Sequence, residues 1–96
     1  MKFIPMNGYI RLGYVSLSIR VDGWAFQIPG YEYLHTWVTP SNYFRNVYVV
    51  SHWESGCCVS QAGTYSNTRE GAADLAVNLI RGKGHKRVRA ALDALK

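Results

Sequence analysis

The residues most able to do chemistry are two adjacent cysteines, Cys57 and Cys58. A nucleophilic cysteine needs a lowered pKa, usually supplied by a nearby histidine or by a helix N-terminus. His52 lies just across a turn predicted at residues 54–56, so a Cys–His pair is geometrically feasible. Adjacent residues of a strand point to opposite faces, however, which favours one cysteine packed in the core. We therefore expect no catalytic residue and no enzymatic activity.

The three histidines, His35, His52 and His85, fall in different parts of the chain and form no HxH, HxxxH or HExxH pair. Metal sites need convergent ligands with a preferred spacing, so surface or hydrogen-bonded histidines are the favoured interpretation. Two adjacent cysteines also supply neither a disulfide framework nor a four-ligand zinc site. We expect no metal and no other cofactor, and a reducing, cytoplasmic location.

A short glycine-containing stretch, residues 82–84, stands between two helix-forming segments. Glycine-rich loops that precede a helix can hold phosphate on free backbone N–H groups. With two glycines and no complete Walker or dinucleotide pattern, a plain connection between helices is the better explanation.

Positive charge is concentrated at the C-terminal end of the chain. Six of the 11 lysines and arginines lie in the last sixteen residues, with Asp93 as the only acid among them. Such clustering is typical of proteins that bind a polyanion such as DNA or RNA, and the alternative is a solvated helix face. Binding would be led by phosphate contacts and sensitive to salt. The candidate polyanion-binding residues are Arg81, Lys83, Lys86, Arg87 and Arg89.

Aromatic residues make up 14% of the chain, including seven tyrosines and three tryptophans. A core of this size cannot bury them all, and Tyr, Trp and Arg are the residues that anchor protein interfaces. Stacking on nucleic-acid bases and packing against a second copy are alternative uses for the same rings. The candidate partner-binding residues are Tyr31, Tyr33, Tyr43, Phe44, Arg45 and Tyr48.

These residues must be positioned by the elements of one small domain, because 96 residues have room for a single core. The pattern of apolar residues changes near residue 66. Before it, apolar residues alternate with polar ones and turn residues are frequent; after it, apolar residues recur at helical spacing. We therefore expect an antiparallel sheet in residues 1–65 and a helical segment in residues 67–95. The predicted fold is α+β, with four to five strands covered on one face by one or two C-terminal helices. No apolar run approaches the roughly twenty residues of a membrane helix.

The clearest predicted strands lie in residues 14–28. Apolar and polar residues alternate there with a period of two, and Asp22-Gly23 is a favoured pair for a type I′ turn. This pattern predicts a hairpin that turns at Asp22-Gly23. Further strands are predicted at residues 31–38, 43–53 and 57–60.

The helical segment is predicted to begin at a cap on Asn67 or Thr68. With Asn67 as the N-cap, Glu70 would sit at N3 and complete a capping box. Gly82 is the expected stop of this helix, and residues 85–95 form a predicted second helix.

In size, antiparallel sheet and capped helix (Ser66-Asn67-Thr68-Arg69-Glu70), the chain resembles small phage and mobile-element proteins of the anti-CRISPR type. The resemblance implies a non-enzymatic inhibitor that docks on a protein or nucleoprotein complex. Many such inhibitors are acidic DNA mimics, and the net charge of +5 departs from that pattern. A small basic nucleic-acid-binding protein is the alternative function, and an exposed strand edge could also pair two copies into a homodimer.

Overall fold

A four-stranded antiparallel sheet and two helices make up the structure, a computed structural model that describes residues 2–11, 18–41, 45–55, 59 and 66–94. The strands lie side by side in chain order, and both helices follow them, so the predicted α+β arrangement is confirmed. No described helix is long and apolar enough to cross a membrane. The elements are β1 (Ile4–Arg11), β2 (Ser18–Phe26), β3 (Thr36–Pro40), β4 (Tyr48–His52), α1 (Arg69–Lys83) and α2 (His85–Ala94).

The predicted turn at Asp22-Gly23 is wrong, because both residues lie inside β2. Strand β2 pairs along its length with β1, in a register that places Asp22 opposite Asn7. Gly23 is needed for close packing instead of for a turn. A Cβ atom there would lie 2.5 Å from the carbonyl oxygen of Val38 and 2.6 Å from Cγ2 of Thr39, both in β3.

Because β2 continues through this glycine, its side chains keep alternating and the predicted faces change. Trp24 and Phe26 lie on the helix side of the sheet, where Phe26 belongs to the core and Trp24 packs against it. Val21 and Gly23 lie on the opposite side, since successive strand residues point to opposite faces. A hairpin with a two-residue turn at Asp22-Gly23 would instead place Val21, Trp24 and Phe26 on one face.

The later strands are shorter than the alternation predicts. β3 begins at Thr36 because residues 29–34 form turns, with Gly30 at a positive φ of 86°. β4 covers Tyr48–His52 within the predicted 43–53. Of the predicted strand 57–60, the structure describes Val59, whose N–H donates to the carbonyl oxygen of Val50 at 3.0 Å. Cys57 and Cys58 lie outside the described residues.

Helix α1 is capped one residue later than a capping box would require. Thr68 is the N-cap, and its side-chain oxygen accepts from the N–H of Gly71 at 3.0 Å. Glu70 is therefore at N2, and its carboxylate pairs with Arg69 instead of with the backbone of Asn67. The helix also continues through Gly82 and ends at Gly84, which has a φ of +81° that suits glycine. The second helix forms where it was predicted.

The core lies between the sheet and the two helices. Three alanines on α1 are fully buried, and these small side chains let the helix backbone come close to Val38 and Val50 of the sheet. Val88 anchors α2 in the same cluster. The buried core residues are Phe26, Ile28, Tyr31, Leu34, Val38, Val50, Ala72, Ala73, Ala76, Ile80 and Val88.

A second buried region lies on the side of the sheet away from the helices. Trp37 is 0% exposed there, and it sits over Gly8 of β1 and Gly23 of β2. Two buried polar atoms on this side, Nε1 of Trp37 and Oγ1 of Thr39, have no hydrogen-bond partner in the part of the chain that the structure describes.

Candidate functional site

Five basic residues meet where the two helices join, and we call this group the basic helical end. Arg81 and Lys83 lie in the last turn of α1, and Lys86 and Arg87 in the first turn of α2. A single residue, Gly84, links the helices, so the charges of both fall close together along the chain. All five side-chain positions, which include Arg89, are exposed.

The electrostatics of the basic helical end differ between its two helices. Cations at the C-terminus of α1 are favoured by the helix dipole, whereas Lys86 and Arg87 stand at the N-terminus of α2, where the dipole favours anions. The first turn of α2 contains no acidic residue to offset this arrangement. An anion bound near these residues would therefore relieve an unfavourable interaction.

Two of the predicted partner-binding tyrosines hold α2 in place. The ring of Tyr31 stacks on His85 with centroids 4.1 Å apart, and the hydroxyl of Tyr33 lies 3.1 Å from Nδ1 of the same histidine. The guanidinium of Arg89 sits over the Tyr33 ring at 4.6 Å. Tyr31 is only 7% exposed, so its prediction as a surface anchor is wrong; the ring packs inside the protein.

The remaining predicted partner-binding residues are described only in part. Tyr48 is half-buried, with its ring 6.3 Å from that of Trp24. Arg45 is exposed in the turn before β4. Tyr43 and Phe44 lie outside the described residues.

The positively charged side chain of Arg69, at the start of α1, packs against other side chains of the protein. Its guanidinium lies 4.9 Å from the ring centroids of both Phe3 and Trp24. It also donates to the carboxylate of Glu70 at 2.7 Å, and this hydrogen bond lowers the pKa of Glu70 from its ordinary value. Arg69 therefore fixes α1 against the sheet and is not part of the basic helical end.

A cluster that the sequence did not predict joins two histidines through one carboxylate. Nδ1 of His35 lies 2.7 Å from Oε1 of Glu54, and Nε2 of His52 lies 3.2 Å from Oε2. The second contact is an ion-pair distance without hydrogen-bond alignment, which leaves Nε2 of the buried His52 without a hydrogen-bond partner in the described part of the chain. Across residues 2–11, 18–41, 45–55, 59 and 66–94, no group of three potential ligands is arranged to hold a metal ion.

The same cluster has the connectivity of a hydrolase triad, because Oγ of Ser55 lies 2.8 Å from Nδ1 of His52. Ser55 and His52 are three residues apart in one turn, however, and the N–H of Ser55 also approaches Nδ1 at 3.4 Å. These contacts close the turn that follows β4. The cluster is thus explained by the structure of the turn. The signal in the sequence that could have pointed to it is the pair of polar residues, His52 and Glu54, at the end of a predicted strand.

A groove of about 1030 Å³ opens at the end of the sheet where β1 and β3 begin. Its walls come from β1, the end of β2, the turns before β3, the residue after β4 and one position on α1. Sequence reasoning could not find this groove, because no local pattern joins residues from such separate segments. The lining residues are Lys2, Ile4, Met6, Ala25, Phe26, Gln27, Pro29, Glu32, Leu34, His35, Thr36, Trp53 and Asp74.

Comparison of the chain with protein-family models, with curated proteins and with solved structures finds no match.

Proposed function

We propose that this chain is a non-enzymatic binding module that docks on a nucleoprotein complex by placing its basic helical end against the nucleic-acid backbone. The observation that carries the proposal is the composition of residues 81–89, which hold five exposed cations and no acid. Their position at the junction of two helices gives them a fixed scaffold. Arg69, by contrast, is held by a carboxylate and two rings, whereas Arg89 of the basic helical end lies over one ring, that of Tyr33, and stays exposed.

The distribution of aromatic residues supports the basic helical end over the aromatic anchors as the binding surface. Tyr31 is buried, and Tyr33 and Tyr48 are half-buried against other rings. Rings in these positions stabilise the fold, so these three tyrosines offer less surface to a partner than the exposed charges of the basic helical end. Such binding is led by phosphate contacts and carries little base specificity.

The test is a titration of a short DNA duplex and a short RNA at about 50 and about 200 mM salt. If all five cations contact phosphates, the affinity falls by about two to three orders of magnitude between these conditions. The double variant Lys86→Glu/Arg87→Glu should abolish most of the binding. The matched control, Arg20→Glu/Arg45→Glu, changes the net charge equally at exposed positions outside the helices and should retain most of it. Equal losses in both variants, or salt-independent binding, would refute the proposal.

An inhibitor that docks on the protein part of such a complex, as the anti-CRISPR resemblance implies, is the second candidate. The observation that favours it is the cross-strand pair of Tyr9 and Arg20, which lie opposite each other in β1 and β2. Tyr9 is 60% exposed, and Tyr and Arg are enriched in interface hot spots. Tyr9→Ala should then weaken binding to the complex after nuclease treatment, whereas Lys86→Glu/Arg87→Glu should not; the opposite pattern would exclude this candidate.

A further inference from the structure

The groove at the end of the sheet is separate from the basic helical end, since it includes none of those five residues. Its volume of about 1030 Å³ is at the upper end of the range found for small-molecule sites. Most of the surface that lines it is apolar. A site of this size and character suits a small ligand with an apolar body.

Two side chains in the groove are unusually exposed for their type. Ile4 is 53% exposed and Trp53 is 40% exposed, and both are among the large apolar side chains that the fold leaves in water. They are far apart in the sequence, so their place in one groove is produced by the fold. Burying them under an apolar ligand is favourable, because apolar surface is removed from water.

The charges of the groove differ in sign from those of the whole protein. Among the described residues that line it, Glu32 and Asp74 are acidic and Lys2 is the one lysine or arginine, a net charge of −1 with histidine neutral, against +5 for the chain. Glu54 and Glu70 are paired with a histidine or an arginine. Glu32 and Asp74 have no such partner in the part of the chain that the structure describes. Both carboxylates are therefore available to a ligand.

We propose that the groove binds a small amphiphilic cation, in which an apolar body packs against Ile4 and Trp53 and an ammonium group is held near Glu32 and Asp74. The carboxylates attract the positive head group and disfavour an anionic one of the same length. Lys2 opposes this attraction, so its removal should strengthen binding. The site is independent of the proposed nucleic-acid contact.

The experiment compares decylammonium with decyl sulfate and the uncharged decanol, each below its micelle-forming or solubility limit. Binding is followed by NMR shifts of the backbone amide of Ala25 and the indole N–H of Trp53, which report on the groove and not on the helices. We expect decylammonium to bind at least about ten times more tightly than the other two, a difference of about 1.4 kcal/mol. Equal affinity for the three probes would overturn the proposal.

Matched variants separate the charge effect from a change in the fold. Glu32→Gln/Asp74→Asn should reduce the affinity for decylammonium to that for decanol, and Lys2→Gln should raise it. All these positions are exposed, so unchanged circular dichroism is expected and serves as the folding control. No change in affinity in either variant would overturn the proposal. Lys86→Glu/Arg87→Glu should leave the groove's affinity intact, which keeps this test distinct from that of the proposed function.

Discussion

The indole N–H of Trp53 donates to the carbonyl oxygen of Asn7 at 3.4 Å, although the two residues lie at opposite edges of the sheet. Neighbouring strands lie about 4.8 Å apart, so a flat sheet would hold these edges about 14 Å apart. The contact therefore requires the sheet to curl toward the side away from the helices. Gly8 allows the approach, because a Cβ atom there would lie 2.7 Å from the same indole nitrogen.

Alanine at the two glycines of the curled sheet should destabilise the protein to different degrees. In Gly23→Ala the new methyl group meets the backbone oxygen of Val38, which cannot move without shifting β3. In Gly8→Ala the closest contact is with the side chain of Trp53, which is partly exposed and can rotate, and Cη2 of the buried Trp37 is less close, at 3.3 Å. Overpacking typically costs about 1–3 kcal/mol, and we expect Gly23→Ala at or above the top of this range and Gly8→Ala near the bottom. Urea unfolding measures both.

Gly82→Ala is the control for these two variants. Gly82 lies inside α1 and is exposed, and beyond its chain neighbours and the helix backbone no described atom lies within 4 Å of the position that the new methyl group would take. Alanine is favoured over glycine in a helix interior by about 0.8–1.0 kcal/mol, so this variant should be stabilised. Destabilisation by all three substitutions alike would contradict the steric explanation.

Substitution of the two tyrosines that contact His85 should show that Tyr31 is a core residue. Tyr31→Ala removes a buried ring that packs on His85, and large-to-small changes of this kind cost about 3–5 kcal/mol. Tyr33→Phe removes only a partly exposed hydroxyl contact to His85 and should cost about 1 kcal/mol. Thermal unfolding distinguishes these values. A loss below about 1 kcal/mol for Tyr31→Ala would indicate that Tyr31 is a surface residue, because surface substitutions change stability little.

Thr39→Val should stabilise the protein. Thr39 is 0% exposed, and its Oγ1 has no hydrogen-bond partner among the residues that the structure describes. A buried hydroxyl without a partner costs about 1–3 kcal/mol relative to an apolar group of the same shape, so a gain of about 1 kcal/mol is expected. Thr36→Val is the matched control: Oγ1 of Thr36 donates to the carbonyl oxygen of Phe26 at 2.9 Å, and this variant should be destabilised. The free energy of unfolding of each variant checks the pair.

The Arg69–Glu70 pair should make a small, pH-dependent contribution to stability. The hydrogen bond from Arg69 lowers the pKa of Glu70 in the folded state below its ordinary value of 4.5. A lowered carboxyl pKa stabilises the fold above the unfolded pKa, and this contribution is lost as pH falls through the folded value. The unfolding free energies of the original chain and of Glu70→Gln should therefore differ at about pH 7 and converge once the pH lies below the lowered pKa of Glu70 in the folded state. A difference that persists at low pH would argue against the ion pair.

The sequence predicted the type and order of elements better than their pairing. The helical period and Thr68 located α1, and the apolar spacing located α2, because both signals are local. The pair Asp22-Gly23 is a good turn former in isolation, yet contact with Val38 decides its conformation in the fold. β1 was missed because Pro5 and Gly8 weaken a strand pattern, although Ile4, Met6 and Ile10 alternate correctly.

For the same reason, the sequence predicted the basic residues of the site better than its aromatic residues. Charge clustering along the chain survives folding, since exposed helix residues stay exposed, so Arg81 to Arg89 remain together. The availability of an aromatic ring depends on what packs over it, and the sequence could not foresee that His85 would cover Tyr31. The groove and the His35–Glu54 contact are likewise products of distant segments meeting.

The indole contact at Asn7 also bears on whether β1 can pair with a strand of another molecule. β1 is an edge strand, and the backbone groups of alternate residues point away from β2. Residues 5 and 7 are successive positions among those that point outward. Pro5 has no backbone N–H to donate, and the carbonyl oxygen of Asn7 already accepts from Trp53, so neither position can form a full set of hydrogen bonds with another strand. We expect such an edge to be a poor template for a strand of another molecule, which makes aggregation through β1 less favourable. Pairing of two copies through an exposed strand edge, which the sequence suggested, stays a prediction.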